Sequence, residues 1–152
     1  MALPNIFATE VSEKTIQRIN KLKPESQPHW GKMNASQMLA HCNVTYEMAF
    51  ENKHPKPNIF MGIILKLFVK KIVTSETPYK RNSQTAPAFK ITDSRDFESE
   101  KSRLINYINK AQQLGETHFD NRPSLSFGPL NKSEWNNMFY KHLDHHLTQF
   151  GV

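Results

Sequence analysis

Apolar positions along this chain recur at helical rather than strand spacing, and five stretches carry the pattern. The first, Ser12 to Leu22, has a narrow stripe of Ile16, Ile19 and Leu22. Ser12 is placed to open it, and residues 1–11 read as an irregular lead-in. The second runs from Asn34 to Asn52 on Met38, Leu39, Cys42, Thr45, Tyr46 and Ala49, with Asn34 and Gln37 at capping-box spacing. From Asn58 to Val73 the chain is apolar almost throughout, interrupted by Lys66, Lys70 and Lys71. A membrane span needs about 20 uninterrupted apolar residues, so a buried or interface helix is expected there. Asp93 or Ser94 caps the fourth helix, which runs to Leu114 on Phe97, Leu104, Ile108 and Ala111 and ends at Gly115. The fifth occupies the last twenty residues, with Ser133, or Asn131 paired with Glu134, at its start and Gly151 at its stop.

The connections are rich in proline and polar residues. Pro24 and Pro28 bracket one loop, and His54-Pro55-Lys56-Pro57 breaks the chain again. Thr74 to Thr92 reads as a long surface loop, a kind of segment that is often functional. Residues 116–131 form a second irregular segment, with Phe127-Gly128-Pro129-Leu130 as a tight turn. Strand signals are few and no internal repeat stands out. The pattern predicts one all-α domain over residues 1–152.

Three of the seven histidines lie in the last helix. A rotation of about 100° per residue puts Trp135, Phe139, His142, His146 and Phe150 on one arc, with His145 near its edge. His142 and His146 are one turn apart on the core face, so both imidazoles can reach one metal ion at about 2.0–2.1 Å. His41, on the shoulder of the second helix, would complete three nitrogen ligands if the two helices are neighbours. Three neutral imidazoles suit zinc, nickel or iron(II) and leave a position open, the layout of catalytic rather than closed sites. The blander reading of the same residues is a hydrogen-bonded polar network in the core. Leu143 follows His142 and no glutamate lies inside the pair, which disfavours peptide hydrolysis. Cys42 reads as a small core residue, and His29, His54 and His118 as surface histidines on loops.

Size and charge narrow the picture further. A chain of 152 residues can bury an ordinary core without a structural metal or disulfides, so an ion is not needed merely to hold the fold. The single cysteine cannot form an internal disulfide, and the amino terminus lacks a signal-peptide layout, so a reducing cytoplasm is expected. The net charge of +6 comes from scattered lysines with no aromatic-basic repeat, which points to a solvated basic surface with no nucleic-acid and no membrane partner. Excess apolar surface between Ile59 and Val73 could serve a homodimer contact.

Ser36-Gln37-Met38-Leu39-Ala40-His41-Cys42, followed about a hundred residues later by Glu134-Trp135 and Tyr140-Lys141-His142-Leu143-Asp144-His145-His146-Leu147-Thr148-Gln149-Phe150-Gly151, resembles the DinB/YfiT-like superfamily. More narrowly, the chain resembles an uncharacterised branch whose last helix reads KHLDHHLxQFG, a likeness shared by Pro78 to Pro87 and Phe127 to Leu130. The resemblance implies an antiparallel four-helix bundle, often dimeric, with an additional short helix and long loops. It also implies a divalent metal held by one early histidine and a late His-x-x-x-His pair, which match His41, His142 and His146, with His145 as an extra candidate. Some relatives are similar to low-molecular-weight-thiol S-transferases.

Taken together, these readings lead to a metal-dependent enzyme in which His41, His142 and His146 hold zinc or nickel and activate water or a thiol. Thiol transfer or hydrolysis of a small-molecule substrate is the expected reaction class. The alternative is a non-catalytic metal-binding or protein-interaction bundle, homodimeric through the Ile59 to Val73 stretch. A water-accessible pocket above the metal would discriminate the two. Asp144 and Glu47 both point away from the histidines, so no general base is expected from either.

Overall fold

A computed structural model describes residues 2–152. The chain forms α1 (Thr9–Asn20), α2 (Ala35–Phe50), α3 (Ile59–Ile64), α4 (Lys70–Thr74), α5 (Phe97–Phe119) and α6 (Lys132–Gln149). A π-helical turn, Leu65–Val69, joins α3 to α4, and a 3-10 turn, Pro87–Phe89, sits in the long loop before α5. A two-stranded antiparallel ribbon, β1 (Arg122–Ser124) and β2 (Gly128–Leu130), links α5 to α6. The architecture is all-α, a four-helix bundle of α1, α2, α5 and α6 elaborated by the short α3–α4 arm and the ribbon. α2 packs most extensively on α5 and also on α6, while α1 bridges α5 and α6 from the other side.

The helix starts follow from side-chain caps that satisfy otherwise orphaned N–H groups. Asn34 and Gln37 form a reciprocal capping box at α2, and Asn131 and Glu134 form another at α6. Asp96, rather than Asp93 or Ser94, caps α5, because its carboxylate accepts from the Ser99 N–H at 2.8 Å. α1 begins before Ser12: Ile6 and Phe7 are buried, and the Ile6 N–H donates to Asn136 at 2.7 Å. The expected irregular lead-in is therefore a fixed part of the core. Gly115 interrupts α5 with a φ of 73°, a conformation that favours glycine, but the helix resumes as far as Phe119. The segment expected to be irregular contains the ribbon, because Arg122↔Leu130 and Ser124↔Gly128 pair across it and Ser124 closes the turn by donating to the Gly128 carbonyl at 2.9 Å.

At the centre of the bundle, Tyr46 stacks on Phe139 with centroids 4.6 Å apart, and Phe119, Trp135 and Phe7 surround that pair. Burying these rings dominates the stability of the fold, and truncating any one to alanine typically costs about 3–5 kcal/mol. The same packing fixes the rotation of α2 and α6 about their axes. That rotation aims the histidines.

Candidate metal centre

Phe139 and Leu143 bury the inward face of α6, so His142 and His146 emerge one turn apart on the side turned toward α2. On α2 the buried positions Met38 and Cys42 place His41 across from them. The structure thus holds a three-histidine cluster of His41, His142 and His146, with one ligand nitrogen from each lying within 4.8 Å of the others. Ring centroids are 4.9 Å apart for His41 and His142, 4.5 Å for His41 and His146, and 4.8 Å for His142 and His146. His41 and His146 are buried, and His142 is partly so. His145 is not in the cluster; its ring lies edge-on to His146, Trp30 and Tyr79 on the outer side.

Each imidazole is held by its other nitrogen. His41 Nδ1 donates to the Phe89 carbonyl at 2.8 Å, and His146 Nδ1 donates to Gln149 Oε1 at 2.8 Å. Because both of those acceptors are carbonyl oxygens, the two Nδ1 atoms carry the protons and the Nε2 lone pairs face the cluster. The Gln149 amide is fixed in turn, since its Nε2 donates to the Trp30 carbonyl at 2.6 Å. His142 is held by a hydroxyl, with Thr45 Oγ1 2.9 Å from its Nδ1. A hydroxyl can donate or accept, so Thr45 serves either tautomer of His142. His142 Nε2 lies 2.9 Å from His41 Nε2, and since His41 presents a lone pair there, His142 donates and Thr45 donates to His142.

These residues fit a divalent cation. Two of the outer partners, the carbonyls of Phe89 and Gln149, match the arrangement in which a ligating histidine gives its second N–H to an acceptor, and the Thr45 hydroxyl can do the same for His142 by turning to accept. A shared ion at about 2.0–2.1 Å asks for nitrogen separations of about 3.3 Å in tetrahedral geometry. That value is bracketed by the 2.9 Å of the His41 and His142 pair and the 4.8 Å spread of the trio. Electrostatics point the same way. Burial lowers the His41 pKa, with a smaller push from His145, and takes His146 down to about 3, with smaller pushes from His41 and His145. Burial likewise holds His142 well below the ordinary value, followed by the charges that His146 and His41 would carry. All three are therefore neutral at pH 7, the form that binds metal.

The long loop supplies the roof. Phe89 packs edge-on over His41 and His142, and Tyr79 lies edge-on to His142 and His145. A cleft of about 190 Å³ opens beside this roof, lined by Trp30, Tyr79, Arg81, Lys141 and His145 among others. Arg81 lays its guanidinium 4.2 Å above the Trp30 ring. None of the three clustered histidines lines the cleft, whose wall toward them is Tyr79 and His145.

The other candidates have structural employment. Burial pushes the Cys42 thiol pKa up, which makes it a poor nucleophile. Asp144 pairs with Arg18 at 2.7 Å. Glu47 is buried in a separate network with Lys53, His54 and Arg103, so His54 is half-buried and hydrogen-bonded to Glu47 rather than free on the surface. His29 and His118 are exposed. Reading the sequence did not single out Phe89, Gln149 or Tyr79. Gln149 had a legible signal, lying three residues after His146 on one helix, whereas Phe89 acts through its backbone carbonyl, which no residue type announces.

An all-α bundle with this buried cluster is a DinB/YfiT-related domain. Residues 7–151 match the family described as protein of unknown function DUF1569, and the chain belongs to that family. No curated protein and no solved structure matches the chain.

Proposed function

We propose that His41, His142 and His146 hold a divalent metal ion, zinc or nickel, in a metal-dependent transferase or hydrolase acting on a small molecule, with a low-molecular-weight thiol or water as nucleophile. The observation that carries this reading is the set of three outer hydrogen bonds, from Phe89, Gln149 and Thr45, that turn one nitrogen of each ring toward a common point. The bound ion would supply Lewis-acid chemistry, lowering the pKa of water or a thiol so that a nucleophile exists at neutral pH. The chain's own residues do the rest. Thr45 rotates its hydroxyl to accept from His142 Nδ1, which frees His142 Nε2 of its proton. Phe89 and Tyr79 exclude bulk water from the rings, and Arg81 and Trp30 give the adjoining cleft a cationic and an aromatic wall.

Elemental analysis of protein purified without added metal or a histidine tag tests the site directly. Near-stoichiometric zinc or nickel is expected in the wild type and loss of it in His142→Ala; no metal, and none taken up on titration, would sink the proposal.

A second reading is a non-catalytic metal-binding bundle, and one observation favours it: the cleft stops at Tyr79 and His145. Cobalt-substituted protein separates the two. A visible-spectrum change on adding a small thiol or azide is expected if an exchangeable position exists, and an unchanged spectrum would select the closed, non-catalytic site.

A further inference from the structure

The largest feature that the metal centre does not explain is the outer face of the α3–α4 arm. Ile59 is 87% exposed, Phe60 73%, Leu67 and Phe68 68% each, and Ile72 60%. With Met61 and Ile63 these side chains leave an apolar surface on the order of 900 Å², where the largest patch on a typical monomer is about 300–600 Å². We propose that this face docks the protein on the surface of an anionic phospholipid bilayer, with its apolar side chains at the acyl boundary and the lysines of the arm among the headgroups.

Charge names the occupant. Residues 52–75 hold five lysines and no aspartate or glutamate. Lys53 pairs with Glu47 and Glu51, and Lys70 pairs with Glu134 at 2.9 Å. The other three, Lys56, Lys66 and Lys71, are exposed, and among the described residues no carboxylate meets them. Along the sequence these lysines belong to a scattered basic surface. In the fold Lys66 and Lys71 stand next to Leu67 and Ile72 on one apolar rod. Helices that lie in the interface of anionic membranes combine Phe, Leu and Ile with lysines in this way, and each lysine adds attraction to the headgroups. The long lysine stem can lie along apolar surface while its ammonium reaches outward. A second copy of the arm does not complement this pattern. About a two-fold axis the arm would meet itself, and its lysines would find only lysines.

The backbone suits the same position. Leu65 and Val69, at the joints with the π-helical turn, keep right-handed helical angles, so the chain stays helical from Ile59 to Thr74. Its amide groups are bonded within the rod, which matters where lipid offers them no partner. No helix among the described residues is long and apolar enough to cross a membrane, and docking along one leaflet asks for no such span. The inner side of the arm is fastened to α6: Asn137 Nδ2 donates to the Thr74 carbonyl at 2.9 Å, and Lys141 Nζ donates to that of Ile72 at 2.8 Å. The apolar face is therefore presented already ordered, which lowers the cost of docking.

Co-sedimentation of the full chain with vesicles at low salt tests the proposal. The wild type is expected to pellet with vesicles of three parts phosphatidylcholine to one part phosphatidylglycerol, and to stay in solution with phosphatidylcholine alone. Lys66→Gln/Lys71→Gln keeps every apolar side chain and is expected to bind the anionic vesicles about 30-fold more weakly, at about fivefold for each lysine. Both positions are exposed, so the variant should keep its helical circular dichroism and its metal content. Should it misfold, Phe68→Cys carrying an environment-sensitive fluorophore provides a second route, since the native Cys42 is buried. Its emission is expected to shift to the blue when anionic vesicles are added. A wild type that stays in solution with anionic vesicles would overturn the proposal, as would equal binding to neutral ones or an unweakened lysine variant. So would a fluorophore that remains in water while the protein pellets, because another surface then binds. A wild type at twice the 17.7 kDa protomer mass that ignores vesicles would assign the face to a second copy instead. Because no clustered histidine lies on this arm, these outcomes do not depend on whether the metal reading stands.

Discussion

Gln149 decides which nitrogen of His146 faces the cluster. Its side-chain carbonyl accepts from Nδ1 at 2.8 Å, and its amide is clamped by the Trp30 carbonyl at 2.6 Å, so it cannot flip without losing both bonds. Replacing it with leucine keeps the volume and removes the acceptor. Metal affinity is expected to fall about 10–100-fold, the usual effect of deleting an outer partner. Competition with a chromophoric chelator would measure it, and an unchanged affinity would show that His146 needs no such support. At this scale the three clustered histidines were legible, because their positions follow from helical geometry on two faces the core defines. His145 and His146 are adjacent, and the sequence left open which one binds. The structure separates them, because the arc that buries Phe139 and Leu143 carries His146 inward and leaves His145 against Tyr79 and Trp30.

Among the elements, α6 does two jobs one residue apart. Lys141 precedes His142, yet it points the other way, and its buried ammonium donates to the carbonyls of Ile72, Ser75 and Thr77 within 3.1 Å. Burial lowers its pKa to about 8, so it stays charged at neutral pH. This one side chain ties the end of α4 and the start of the roofing loop to the helix that bears the histidines, and its ammonium also lies 4.6 Å over Tyr79. Lys141→Met keeps the stem and removes the donors. It is expected to cost about 1–3 kcal/mol in urea unfolding and to speed proteolysis within residues 75–92, and unchanged cleavage there would argue that Phe89 and Tyr79 hold the loop alone. The sequence showed the helices well because capping boxes and 3.6-residue stripes are local. The ribbon, the π-helical turn and the role of Lys141 were hidden. Each depends on what the rest of the chain offers: carbonyls at a helix end, a partner strand, or an apolar surface.

For the whole molecule, the cluster is a source of acid sensitivity. An unfolded histidine titrates near 6.5, whereas burial keeps His41, His142 and His146 neutral in the fold to lower pH, for His146 down to about 3. Below 6.5 the unfolded chain therefore binds more protons than the native one. Linkage then makes stability fall as pH drops, and the loss continues until each native pKa is reached. Above 6.5 these three groups add no slope. Each ring that stays neutral costs about 1.4 kcal/mol per pH unit in that window, so chelator-treated protein should lose about 2 kcal/mol for each such ring between pH 7 and pH 5. Glu47 gives a separate signature. Burial alone would raise its pKa, but bonds from Lys53, His54 and Arg103 outweigh that and lower it, so its contribution is lost only below the ordinary carboxylate range. Urea midpoints across this range, compared between wild type and His146→Gln, isolate the histidine contribution. The variant should show a shallower acid slope. Equal slopes would mean that the native cluster takes up protons as readily as the unfolded chain, which three buried imidazoles sharing one small space cannot do without moving apart.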